Sequence, residues 1–190
     1  MMRALLPAIA ALTAVLAAGA AAAQSQTQTD AFDRVTIDGN APSVCQMNAP
    51  QGSGSNVQFS VNSSNSGQVD FQALANPNTA VAQASSVSVS FPVTCTGAHS
   101  LTISSTNGGL TNPSPGAQGF ATRVDYALSA AWNGDTRQFT TVGTPTSLNL
   151  TESDGATGNL TVGITVPGGG LPLVSGAYTD QVTVQFSATP

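Results

Sequence analysis

The chain has no lysine. That excludes isopeptide cross-links through lysine side chains. Its four basic residues are arginines, set against nine acids for a net charge of −5. Such a balance lacks the cationic footprint of nucleic-acid binding and offers no polybasic segment to an anionic membrane. Histidine occurs once, as His99, and cysteine twice, as Cys45 and Cys95, too few for a conventional metal site. One tryptophan and two tyrosines cannot build the two aromatic girdles of an outer-membrane barrel. They also make a poor platform for stacking sugars. Outside the N-terminus no window of a dozen residues carries a helical period. The nearest, "FQALANPNTAVAQA", is broken by its Asn-Pro-Asn.

What is present begins with residues 1–23, "MMRALLPAIAALTAVLAAGAAAA": one arginine, an apolar run, and the small residues Ala21 and Ala23. This reads as a secretory signal peptide, cleaved after Ala23. The expected mature chain, Gln24 to Pro190, is one domain long and large enough to bury a core. It divides into an N-terminal extension over 24–34 and a β-domain over 35–190. Cys45 and Cys95, exported to an oxidising compartment, are expected to form a disulfide. No stable membrane insertion is expected of the mature protein.

Two-residue alternation runs through most of the chain. Val35 and Ile37 share a phase that Cys45 and Met47 continue. Val57, Phe59 and Val61 alternate, as do Val69 and Phe71. In "SVSVSFPVTC" Val87, Val89, Phe91, Val93 and Cys95 all point one way. Leu101 and Ile103 follow, then one long strand from Val124 through Tyr126, Leu128 and Ala130 to Trp132, and another over Leu160, Val162, Ile164 and Val166. Tyr178, Val182, Val184 and Phe186 form a last strand. Between these runs lie segments rich in turn residues, among them "QGSGSN", "WNGD", "ESDGATGN" and "PGGGLP". Some nine half-buried strands imply an all-β antiparallel sandwich.

No catalytic constellation emerges. No serine sits in a G-x-S-x-G turn, and His99, in "TGAHS", reads as a solvated loop residue. Asp125, Asp154 and Asp180 read as solvating acids, since Glu152 is the only glutamate and no acid pair is evident. "ESDGATGN" lacks the alternating acids of a calcium loop. The glycines of "PGGGLP" precede no helix and serve a tight connection rather than a phosphate. The expectation is a non-enzyme without cofactor or metal.

Three segments then carry a resemblance. "VTIDGNAPSVCQM" is similar to the first, cysteine-bearing strand of chaperone–usher pilus subunits, and "VSVSFPVTCTGAHSLTISS" resembles the strand ending in the partner cysteine. "SGAYTDQVTVQFSA" is similar to the G-x-Y-x-D-x-V-x-V close of the spore coat protein U family, the archaic branch of those subunits, and "RVDYALSAAW" resembles its penultimate Tyr-containing strand. The last residues, "FSATP", depart from the aromatic terminus usual there.

The resemblance implies an immunoglobulin-like sandwich that is incomplete and is completed by a donor strand. A periplasmic chaperone fills the groove first, and then the N-terminal extension of the next pilus or coat subunit. That path implies passage through the periplasm to the cell surface, and a homo-polymer is one form of it. The assembly residues would be Ala31, Val35 and Ile37 on the donor side, within Thr29–Asp38, where Asp33 intrudes in the apolar phase. Tyr178, Val182, Val184 and Phe186 would be on the acceptor side. The competing reading is a self-contained adhesion or carbohydrate-binding sandwich in which the first strand covers that edge.

Overall fold

The computed structural model describes residues 38–64 and 66–189, and within them the chain is all-β, with no helix. The expected signal peptide and extension, with Ala31, Val35 and Ile37, lie outside the described residues. From Asn40 onward the described chain belongs to one compact unit.

The larger sheet is organised on two long strands, β5 (Ser85–Cys95) and β12 (Ala156–Val166), paired antiparallel along their whole length. β12 pairs on its other side with β9 (Ala127–Trp132), which pairs with β10 (Asp135–Thr140). The turn between them is "WNGD", where Asn133 and Gly134 take φ of 50° and 90°, the paired left-handed geometry that suits a two-residue hairpin. Against the far side of β5 lie two short strands in succession, β1 (Cys45–Met47) and β2 (Gln51–Ser55). β2 corrects the reading of "QGSGSN" as a turn. A strand without apolar side chains gives no period, and this one forms because the open edge of β5 offers a ladder to pair with.

The smaller sheet has β6 (His99–Ser105) at its centre, flanked by β11 (Thr146–Glu152) and β13 (Val182–Ala188). β3 (Val57–Ser63) and β4 (Ser66–Phe71) form a separate hairpin, and β7 (Leu110–Thr111) pairs with β8 (Arg123–Val124). The described residues thus hold thirteen strands, more than the nine expected, because short or polar strands such as β2, β7 and β10 carry little alternation.

Both sheets turn apolar positions onto one core: Val93, Leu128 and Leu160 from the larger, Leu101, Ile103 and Leu150 from the smaller. This is a sandwich-like arrangement of two facing sheets. The long strand expected from Val124 to Trp132 is interrupted at Asp125–Tyr126. There the backbone of buried Tyr126 turns to Thr141: its N–H donates to Thr141 Oγ1 at 2.8 Å, and its carbonyl accepts from the Thr141 N–H at 2.9 Å. The side chain keeps its inward phase while the ladder passes to another partner.

Cys45 and Cys95 are joined by a disulfide, as expected, across directly opposed positions of β1 and β5. His99 overturns its reading as a solvated loop residue. It opens β6, is 0% exposed, and shares the inward phase of Leu101 and Ile103. Trp132 Nε1–H donates to His99 Nε2 at 3.0 Å, which leaves Nδ1–H to donate to the Gly97 carbonyl at 2.9 Å. Phe186 packs on both rings, with centroids 5.9 Å from His99 and 5.3 Å from Trp132. Trp132, 2% exposed, is therefore a core residue.

Candidate functional site

A groove between β4 and β13 has a cavity volume of about 830 Å³. Its floor is the inner face of the larger sheet, contributed by Met47, Val89, Phe91, Val162 and Ile164. These positions belong to the apolar phases of β1, β5 and β12, so the alternation that builds the core also builds the floor.

The two walls are strand edges. Every residue of β4 from Ser66 to Phe71 lines the groove, whereas β3 contributes only Phe59. The groove therefore runs along the side of β4 that β3 does not occupy. The opposite wall is Gly176–Val184, the approach to β13 and its first residues. β13 pairs with β6 on one side, and among the described residues no strand pairs with its other side. Two unpartnered strand edges thus border one apolar trough.

Phe59 anchors the hairpin wall. Its ring lies between two glycines: a Cβ on Gly52 would come within 2.5 Å of the ring, and one on Gly67 within 2.5 Å of its far end. The close approach leaves no room for a side chain at either position. "QGSGSN" and "NSSNSG" thus supply the space that lets an aromatic ring dock the hairpin on β2.

At one end of the groove sits a polar cluster around Asp180. Its carboxylate accepts from Ser105 Oγ at 2.6 Å, Tyr126 Oη at 2.7 Å, and the backbone N–H groups of Asn107, Gly109 and Gln181 at 2.9, 3.2 and 2.7 Å. Burial would raise the Asp180 pKa, but the hydrogen bonds from Ser105, Tyr126 and the backbone outweigh it and hold the carboxyl below its ordinary value. Burial pushes the Tyr126 phenol well above its own, so it stays a hydrogen-bond donor. Asp180 is thus not the solvating loop acid expected from sequence. It ties the β6–β7 turn, the Tyr126 break and the start of β13 together.

Of the acceptor residues expected from sequence, Val182, Val184 and Phe186 lie on β13 and pack against the core. Val182 and Val184 also line the groove, whereas Phe186 lies beyond it, under His99 and Trp132. Tyr178 lines the groove as well but stands before the strand, a correction to its place in the last strand. Its hydroxyl lies 2.7 Å from the Ala121 carbonyl and 2.9 Å from that of Val174, so it anchors the connection rather than extending the ladder. The hairpin wall was not singled out from sequence, although Phe59, Val69 and Phe71 showed its alternation.

His99 and the two cysteines bring one potential ligand atom each to within 4.8 Å of one another. The disulfide nevertheless consumes both thiolates, and the imidazole is already hydrogen-bonded at both nitrogens. Among the described residues no helix is long and apolar enough to cross a membrane. No protein-family model and no curated protein matches this chain.

Proposed function

We propose that this protein is a structural subunit that takes up a β-strand from a second polypeptide, as in a pilus or surface coat of the chaperone–usher type. One observation carries the reading: the free edges of β4 and β13 flank a single apolar trough. A strand laid there would hydrogen-bond on both sides and turn alternate side chains onto Val89, Phe91, Val162 and Ile164. It would join β11-β6-β13 to β4-β3 in one sheet. The resemblance of the last strand to the spore coat protein U close supports the same reading, and an immunoglobulin-like topology belongs to it.

The occupant would be a periplasmic chaperone strand first and then the Thr29–Asp38 segment of another copy or a related subunit, with Ala31, Val35 and Ile37 facing the floor. Burial of Trp132 speaks against the carbohydrate-binding alternative, because a stacking platform needs exposed rings.

Solution mass tests the proposal. Mature protein without partners is expected to self-associate, and deletion of Gln24–Arg34 to abolish this with disulfide and fold retained. A full-length protein that stays monomeric at high concentration with no chaperone bound would favour the self-contained module instead.

A further inference from the structure

We propose that Arg34 of an entering copy pairs with Asp70 on the rim of the groove, and that this ion pair sets the register of the donated strand. The pairing rests on the strand-uptake reading above. Among the described residues lining the groove, two carry charge, Asp70 and Asp180, and both are acids. Asp180 already accepts from five donors. Asp70 differs. It stands in the exposed outward phase of β4, where its carboxylate accepts from Gln68 Nε2 at 2.6 Å and from nothing else among the described residues. The other outward positions of the two walls are uncharged: Ser66 and Gln68 on β4, and Thr183, Gln185 and Ser187 on β13. A strand laid between the walls thus meets one charge beside its outward face, and that charge is negative.

The chain's few cations select the partner residue. Of its four arginines, Arg3 falls within the expected signal peptide. Arg123 is held by Asp125 through contacts of 2.9 and 3.1 Å, and Arg137 lies on β10 of the larger sheet. Arg34 remains, inside the Thr29–Asp38 segment. With Ala31, Val35 and Ile37 turned to the floor, the two-residue period puts Arg34 in the outward phase, on the side of Asp70. Asp30 and Asp38 share that phase four residues to either side, roughly 13 Å along a strand. Asp33 belongs to the other phase and takes no part at the rim.

The apolar phase alone discriminates poorly between registers, because a slip of two residues keeps every side chain on its own face. Such a slip brings Phe32 or Thr36 beside Asp70 and forfeits the pair. A slip of four brings an acid there, and like charges side by side repel. The acid–base–acid spacing reads the same from either end, so it selects the register whichever way the strand runs. An exposed ion pair changes an equilibrium only about two- to fivefold. The floor therefore supplies the affinity and the rim supplies the choice of register.

The test is self-association of the full mature chain, followed by solution mass at low salt. Asp70→Arg and Arg34→Asp are each expected to weaken it about fivefold, through like-charge contact at the rim. The double variant Asp70→Arg/Arg34→Asp should recover the native value. Mixing the two single variants in equal amounts should do the same, because an alternating array gives every rim a strand of opposite charge. A variant that merely failed to fold is not rescued in this way. High salt should shrink all of these differences. Losses that simply add in the double variant, with no rescue on mixing, would overturn the ion pair. Strand uptake itself would stand in that case if native self-association still required Gln24–Arg34. A native chain that does not self-associate would remove both.

Discussion

Tyr126 and Asp180, 54 residues apart in sequence, meet through a 2.7 Å hydrogen bond in which the phenol donates to the carboxylate. One lies where a long strand breaks, the other just before the last strand begins, so the bond fixes where the β13 wall of the groove starts.

Acid should loosen this wall. The Asp180 carboxyl is held below its unfolded value, so it contributes stability that is fully present above an unfolded pKa of about 3.9 and is lost as pH falls through the lower folded pKa. Denaturant midpoints measured from pH 7 down to pH 2 should fall in that window for the native protein. Asp180→Asn should be less stable at pH 7, and its midpoint should depend less on pH below 4. An unchanged acid limb in Asp180→Asn would assign the loss to other groups.

His99 is expected to be a stability determinant rather than a reactive group. His99→Ala removes the acceptor of a buried indole N–H and opens a cavity beside Phe186. Together these should cost about 3 kcal/mol. Trp132 is the sole tryptophan, so its fluorescence during urea unfolding reports the transition directly. A cost under about 0.5 kcal/mol, typical of exposed sites, would contradict the burial.

The disulfide encloses a loop with a sequence separation of 50. In the chain-entropy treatment its loss should cost about 4 kcal/mol. Intact mass with and without reduction and alkylation, together with the denaturation of Cys45→Ala, checks both halves of this expectation. Two freely alkylating thiols in native protein would defeat it.

Gly67→Val should close the groove without unfolding the core. The new side chain meets the far end of the Phe59 ring, which Gly52 prevents from retreating. The ring or the whole hairpin must shift toward the trough. Uptake of a peptide spanning Thr29–Asp38 should fall at least tenfold, the effect of about 1.4 kcal/mol, while the disulfide and the Trp132 emission stay native.

The parts legible in sequence were those where alternation and burial coincide: β5, β6, β12 and the Val182–Phe186 run all turned their apolar phase inward. β2 was not legible, because its inward positions are glycines that make room for neighbours instead of packing themselves, Gly52 for Phe59 and Gly54 for Val57. His99 was misread because the turn residues before it outweighed its phase. It stands two residues before Leu101 and four before Ile103, so a strict two-residue count would have placed it in the core. The Asp180 cluster gathers donors from widely separated parts of the chain, and no local pattern announces such a convergence. The trough followed the same logic: each wall showed its own alternation, but only the fold brings β4 and β13 to opposite sides of one floor.

The cross-strand bridge also decides which parts of the molecule carry load. Tension entering ahead of Cys45 and leaving through β13 passes directly to Cys95 and bypasses residues 46–94, with β2 and the β3–β4 hairpin among them. The hairpin wall is then mechanically idle while the β13 wall is strained. A single molecule pulled from its ends should release roughly 170 Å less chain when oxidised than when reduced, at about 3.4 Å per residue for the bypassed segment. Stretching would therefore deform the trough from one side only.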